Sequence, residues 1–432
     1  MPLIQALDRQ RLIYLKGMSG AKPLIPFHAD ALRERAREKM AENAWAYIDG
    51  GAGNENSIAA NTAAFSKVAI RPRMMRPNES ADFSSTLLGM PLPFPLLLAP
   101  IGALDLICRE ADRMVARACR DTGIPFIFSN QAGTPMEACA AEMGDTPRWF
   151  QLYWSKSDDL VLSFVRRAEA CGCRAIVLTV DTTLLGWRSR DLALGYLPFL
   201  RGMGIAQYTS DPVFMDLLHQ KKIPAAAGAP RPAITLTTIA NLLRLKGHYP
   251  GGLWKNLFSK EPLEAVRLFT NIYSNPALSW DKVVWLRQQT QLPILIKGIL
   301  RAEDAIQAAA SGANGVIVSN HGGRQVDGAI PTLDALGPIR KALPKPFPVI
   351  LDSGIRCGSD IFKALALGAD AVLLGRPYAY GLGIKRQEGV KEVIMNLVND
   401  FELTARLAGC RNLGEIDEGM VSSKGKGILL TT

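Results

Sequence analysis

The chain has 432 residues, 48% of them hydrophobic and 21% charged, with a formal net charge of +10. This is the composition of a globular protein with ample apolar material for a large core, and the length accommodates one barrel of about 250 residues with additions, or two to three smaller domains. The positive balance is first a basic surface and second an attraction for anionic substrates or an anionic membrane. Nucleic acid is not an expected partner, since no long basic run interleaves with aromatics.

Seven cysteines occur, an odd number in a long chain, with 171-CGC-173 as the only close pair. That pair reads as small residues entering a strand. Without neighbouring histidines it suggests no zinc, and no metal is expected. The usage suits a reducing compartment, so a cytoplasmic location is expected. The N-terminus shows no leader pattern, and no window of about 18 apolar residues reads as a spanning helix.

In chain order, residues 1–92 read as an N-terminal helical segment, with helical pattern over 30–65, Asp30 as N-cap and 49-DGGAGN-54 as an interruption. From residue 93 short apolar runs recur: 93-PFPLLLAPIG-102, 124-IPFIFSNQ-131, 148-RWFQLYW-154, 174-RAIVLTVD-181, 292-LPILIKG-298, 315-GVIVSNHGG-323, 347-FPVILDSG-354 and 371-AVLLGRP-377. Helical stretches such as 158–172, 302–312 and 359–368 lie between them. Continuous apolar strands alternating with helices predict a parallel sheet covered on both faces. Eight units predict a (β/α)8 TIM barrel over 93–415. An open doubly wound sheet is the alternative, but APIGALDL after the first strand is not the expected GxGxxG.

The rhythm breaks after the fourth strand, where a connection of about 110 residues (182–291) far exceeds an ordinary βα loop. It holds 224-PAAAGAPRP-232 and the basic, aromatic stretch 242–260, with Arg244, Lys246, Lys255 and Lys260. Such an insertion is expected as a lid or subunit contact; membrane contact through 242–260 is the less favoured reading. Residues 416–432 read as a tail containing Lys424 and Lys426.

Barrel strands deliver their C-terminal ends to one mouth. The ends here are Gly102, Ser129, Gln151, Tyr153, Thr179, Asp181, Lys297, Ser319, His321, Arg324, Asp352, Arg356, Gly375 and Arg376. So many polar groups behind apolar runs are costly unless paired or used. The turns 352-DSGIRCGSD-360 and 375-GR-376 combine glycines, helix starts and arginines, as an anion such as phosphate requires. Lys297 is a fixed cation able to stabilise negative charge. His321 suits proton abstraction near neutrality, with Asp181 a candidate to orient it. Arg324 and Arg188 suit a carboxylate, and Tyr47 and Tyr153 could donate hydroxyl bonds.

These residues resemble the FMN-dependent α-hydroxy acid oxidases and dehydrogenases over about residues 30–415, through SNHGGRQ at 319–325 together with LPILIKG, LTVDT, FQLY, DSGIRCGSD and LGRP in the family order. The resemblance implies FMN, lined by Pro100, Ile101, Gly102, Ser129, Gln151, Tyr153, Thr179, Lys297 and Ser319. The turn Asp352, Ser353, Gly354, Ile355 and Arg356, with Gly375 and Arg376, would hold its phosphate. It further implies His321 as base with Asp181 as partner, Lys297 beside the flavin, and Arg324, Arg188, Tyr47 and Tyr153 on the substrate. A small L-2-hydroxy acid would become a 2-oxo acid, with O2 as the expected oxidant; the alternatives are an oxidase that releases peroxide and a membrane-associated lactate or mandelate dehydrogenase that uses quinone. A homotetramer or higher homo-oligomer is expected. Gly102, where many simple oxidases carry alanine, and the long insertion resemble the lactate 2-monooxygenase branch. Gln131 departs from the tryptophan of glycolate-oxidase-like members and leaves the hydroxy acid open.

Overall fold

The computed structural model describes residues 5–77, 79–220, 233 and 235–423. Eight short strands form a closed parallel barrel: β1 (Leu96–Leu98), β2 (Phe126–Phe128), β3 (Arg148–Leu152), β4 (Ile176–Thr179), β5 (Ile294–Ile299), β6 (Gly315–Val318), β7 (Val349–Leu351) and β8 (Ala371–Leu374). Each pairs with the next, and β8 closes on β1 through the register Val372 to Leu96 and Leu374 to Leu98. All eight expected runs are strands, and the barrel is the (β/α)8 TIM type.

Both faces of each strand are buried, which is why the sequence shows runs rather than alternation. Leu97, Ile127, Trp149, Val177, Leu295, Ile317, Ile350 and Leu373 fill the interior, and Leu87, Met90 and Leu92 of the preceding hairpin (85–92) continue that cluster. The alternate residues meet the surrounding helices in a second, larger core. Helices Asp158–Ala170, Ala302–Ala310 and Gly358–Ala366 stand where the periodicity placed them.

The N-terminal segment departs in detail from expectation. The stretch 30–65 holds Ala29–Lys39, Glu42–Asp49 and Asn56–Ser66, so the chain breaks at Met40–Ala41 as well as at 50–55. The N-cap is His28 rather than Asp30, which lies in the first turn, where a carboxylate favours the helix dipole. A further helix, Ala6–Met18, was not expected. Its only buried residue is Ala6, so it carries little amphipathic signal. Ion pairing of Arg9 with Glu392 at 3.0 Å and a bond from Ala6 N to Glu402 tie it to the last helix, Arg376–Leu407.

The expected tail is not wholly a tail. Val421–Ser423 pairs antiparallel with Val68–Ile70 because Val421 has a buried site to fill. Lys424, Lys426 and the patch 224–232 lie outside the described residues. The 171-CGC-173 pair spans a helix end, where Gly172 takes φ +68° and Cys173 is buried; all seven cysteines are free.

Helical pieces of the insertion pack against the barrel mouth. Ala206 N donates to Ala132 O, the Tyr208 hydroxyl to Asn130 Oδ1, and Gly204 N to Asp105 Oδ2. Its outer side exposes Leu236, Trp254 and Phe258. Among the described residues, no helix is long and apolar enough to cross a membrane.

Candidate active site

β6 ends at Val318, and the chain then turns sharply through His321 (φ +56°), Gly322 (+66°) and Gly323 (+75°). Left-handed backbone at a histidine costs on the order of 1–3 kcal/mol and persists only where its surroundings enforce it. The enforcement is visible. His321 N donates to Ser319 Oγ, Gly322 N to Ser353 Oγ, and Gly323 N to Asn320 Oδ1. Asn320 exchanges two 2.8 Å bonds with Asn61 on helix Asn56–Ser66. A side chain at Gly323 would lie 2.8 Å from Ile58 N, so only glycine allows that helix so close. Neither asparagine was singled out by itself from sequence; the one available signal was that Asn320 lies inside SNHGGRQ.

The turn brings His321 Nδ1 to 2.7 Å from Asp181 Oδ1 beyond β4, with the Thr182 hydroxyl at 2.9 Å from that oxygen. Engagement of Nδ1 by a carboxylate selects the tautomer that leaves Nε2 as acceptor. Burial lowers the His321 pKa below its usual value; Asp181 opposes this, while Lys297 and Arg188 reinforce it. Burial works to raise Asp181, but His321 and Lys297 prevail and hold it below the usual carboxylate range.

Lys297 on β5 is 3% exposed, and its Nζ lies 3.0 Å from both Ser319 Oγ and Asp352 Oδ2. Desolvation pulls its pKa down, but Asp352 and Asp181 outweigh that and raise it, so a buried ammonium persists. Next to it runs a chain of side chains at strand ends: Ser129 Oγ to Gln151 Oε1 at 3.2 Å, and Gln151 Nε2 to Thr179 Oγ1 at 3.1 Å. Tyr153, buried beside them and near Asp181, has its phenol pushed up to about 12.

Three arginines converge on the opposite side. Arg324 donates to the carbonyls of Tyr47 and Gly50, and Arg376 to those of Ile48, Gly322 and Gly50. Tyr47, Ile48 and Gly50 end helix Glu42–Asp49, whose last carbonyls lack helical partners. The Tyr47 ring lies 4.8 Å from the Arg324 guanidinium and 5.6 Å from that of Arg188, a cation–π arrangement that orders both. Arg188 is 7% exposed, and its Nε and Nη1 have no hydrogen-bond partner among the described residues. None of the three makes an ion pair there. Burial, then the neighbouring Arg188, pushes Arg324 down to about 9. Burial also lowers Arg376, with Arg356 adding to it.

A cavity of about 100 Å³ joins these groups; Pro100, Ile101, Gly102, Tyr47, Tyr153, Arg188, Lys297, His321, Arg324, Asp352, Gly375 and Arg376 all line it. Gln131, expected at the substrate pocket from the resemblance, lines it too, as do Ile48, Ala99 and Gly322, which were not placed there from sequence. The turn after β7 differs from expectation. Ser353 serves Gly322, Gly354 packs on Phe65 and Asn61, and Ile355 is buried. Arg356 borders a second cavity beside Arg9 and His28. The amides of Arg356 and Cys357 already donate to Asp360, and that of Gly358 to Asp400. The amides at that helix start are therefore committed to carboxylates, whereas Gly354 N and Ile355 N have no hydrogen-bond partner among the described residues and Gly375–Arg376 lines the cavity. Another cavity, of about 630 Å³, lies away from this chemistry, between the insertion and the loop at Asp105.

Unpaired guanidinium groups call for anions, since an isolated buried charge is expensive. A side chain at Gly375 would meet nothing nearer than Ala99 Cβ at 3.9 Å, so the backbone is open to a ligand. A buried ammonium, a line of amide and hydroxyl groups, and an open Gly–Arg turn fit a flavin mononucleotide: a polar ring edge at one end and a phosphate at the other. The fold and mouth thus define a flavin-dependent barrel oxidoreductase.

Comparison with known proteins agrees. Residues 36–423 match the FMN-dependent dehydrogenase family. The chain is 37% identical over 401 residues to the L-lactate oxidase of Lysinibacillus sphaericus, covering 93% of this chain and 94% of that protein. It is 36% identical to an FMN-dependent alpha-hydroxy acid dehydrogenase of Penicillium citrinum, covering 96% and 95%. A mandelate oxidase structure with 3,3-difluoro-2-hydroxy-3-phenylpropionic acid superposes with a TM-score of 0.72 at 31% identity, covering 92% and 98%. The chain belongs to the FMN-dependent dehydrogenase family and is an FMN-dependent oxidoreductase of 2-hydroxy acids.

Proposed function

We propose that the chain oxidises a small L-2-hydroxy acid to the 2-oxo acid and that O2 takes up the electrons. The observation that carries this is the meeting, around one cavity, of a carboxylate-held imidazole with arginines that lack carboxylate partners. Arg188 and Arg324 take the substrate carboxylate, and Tyr47 and Tyr153 take its oxygens. His321, held by Asp181, accepts a proton at Nε2 and keeps it as imidazolium. FMN, when bound, supplies a two-electron acceptor; Gly375 and Arg376 hold its phosphate, with Arg356 adding charge, and Lys297 stabilises negative charge on the reduced ring. Pro100–Gly102, Ser129, Gln151, Thr179 and Ser319 line the ring. Anaerobic mixing of the holoenzyme with L-lactate, glycolate and L-mandelate tests this: at least one should bleach the flavin, and none doing so would sink it.

Of the two outcomes with oxygen, we favour the monooxygenase, in which lactate and O2 give acetate, CO2 and water. Two features support it. The insertion walls the mouth, with Phe199 edge-on to Tyr47 at 6.4 Å, as retention of oxo acid and peroxide requires. Gly102 also leaves room where a methyl would sit 3.1 Å from Gln131 Cβ. Release of peroxide is the second reading, supported by likeness to L-lactate oxidase. Gly102→Ala should raise the peroxide released per lactate consumed, measured against acetate; an unchanged ratio would remove this glycine as determinant. The exposed apolar side of the insertion supports a homo-oligomer contact, in a protein we place in the cytoplasm.

A further inference from the structure

Gln131 has no role in the chemistry above, yet it is 7% exposed and lines the cavity with His321, Arg188 and Tyr153. Among the described residues its carboxamide has no hydrogen-bond partner, whereas its main chain is pinned: N donates to Ser129 Oγ at 3.1 Å, and O accepts from Ala103 N at 2.8 Å. Gly204 of the insertion packs 3.0 Å, by its would-be Cβ, from the same carbonyl. The main chain at this position is thereby fixed, and the side chain lines the cavity. Its amide stands beside Gly102, with Oε1 3.4 Å from where a Cβ at that glycine would lie. A ligand that displaces cavity water without bonding this amide would leave it unpaired, at a cost on the order of 1–3 kcal/mol. A pocket shaped only for a methyl or phenyl group would gain from an apolar residue here.

We propose that the Gln131 carboxamide hydrogen-bonds an oxygen carried on the side chain of the 2-hydroxy acid, so that the preferred substrates bear a hydroxyl, carbonyl or carboxyl oxygen beyond C2. This rests on the proposed oxidation of 2-hydroxy acids and names the preferred substrates of that same cavity, among which lactate, used above to write the reaction, is then a weaker one. A site built to bond a polar group discriminates strongly against the analogue lacking it, because its own polar group is then left unpaired.

The test uses FMN-loaded protein and two substrates differing by one hydroxyl on C3, L-glycerate and L-lactate, in anaerobic flavin reduction. The wild-type protein should show the higher second-order rate constant with L-glycerate. Gln131→Leu should cut the glycerate-to-lactate ratio at least tenfold, with Gln131→Asn intermediate. Difference spectra on adding hydroxypyruvate or pyruvate read binding without turnover and should show the same loss of preference. Flavin content of each variant controls for folding. Equal losses for both acids, or a wild-type preference for lactate, would overturn the proposal. A displaced flavin spectrum with an unaltered ratio would also overturn it, by assigning the amide to the cofactor. If no 2-hydroxy acid reduces the wild-type flavin, the proposed function itself fails and this inference with it; flavin reduction by both acids with a glycerate-to-lactate ratio indifferent to Gln131 sinks only the inference.

Discussion

His321→Ala should bind FMN normally and reduce it on the order of 10²–10⁴-fold more slowly than the wild-type protein, the range expected for loss of a positioned general base. Stopped-flow bleaching by substrate measures the rate, and visible absorbance measures bound flavin; normal bleaching would remove His321 from the role. The geometry also fixes the pH dependence. The His321 pKa is depressed below about 6.5, so the base form is already dominant at neutral pH. Activity should be flat there and fall as pH drops through the depressed value. Stability follows the same sign. His321 and Asp181 are both lowered in the fold, so their contribution is present above their unfolded pKa values and is lost on acidification.

Lys297→Met should be costly in a different way. It removes the cation 3.0 Å from Asp352, a carboxylate whose side chain is 10% exposed and whose remaining bonds to the same oxygen come from the hydroxyls of Ser319 at 2.6 Å and Ser353 at 3.5 Å. Breaking one side of a buried pair typically costs about 3–5 kcal/mol, whereas removing both charges is often nearly neutral. Denaturant unfolding should show the single variant strongly destabilised and Lys297→Met/Asp352→Asn largely restored. Flavin reduction should fall in both, on the order of 10²–10³-fold, since the charge-stabilising cation is missing from each. Equal stability of the single variant, or recovery of rate in the double, would contradict the assignment.

The barrel was legible because parallel strands buried on both faces leave unbroken apolar runs, and because turn residues punctuate them. The chemistry-bearing ends were legible for a related reason: Lys297, His321 and Arg324 are conspicuous behind such runs. What stayed hidden was pairing at a distance and the work of the main chain. Nothing local in Asp352 announces Lys297, 55 positions earlier. Asn61 and Asn320, which hold the His321 turn, are ordinary polar residues until the helix and the turn meet. Arg324 and Arg376 bind carbonyls, which every residue has, so the importance of 47–50 leaves little side-chain trace. Gln131 was visible only as a departure, because an amide without a partner is a property of the folded pocket. Helix Ala6–Met18 escaped because it buries one residue.

The end of helix Glu42–Asp49 has a consequence for ionic strength. Arg324 and Arg376 are aimed by peptide dipoles rather than by carboxylates, so their orientation does not depend on an ion pair that dissolved salt could screen. Their pull on an approaching anion does, over a screening length of about 8–10 Å at 0.10–0.15 M. Added salt should therefore act on capture and spare alignment: KM for the hydroxy acid should rise while kcat holds, and a parallel fall in kcat would show the guanidinium groups to be loosely held.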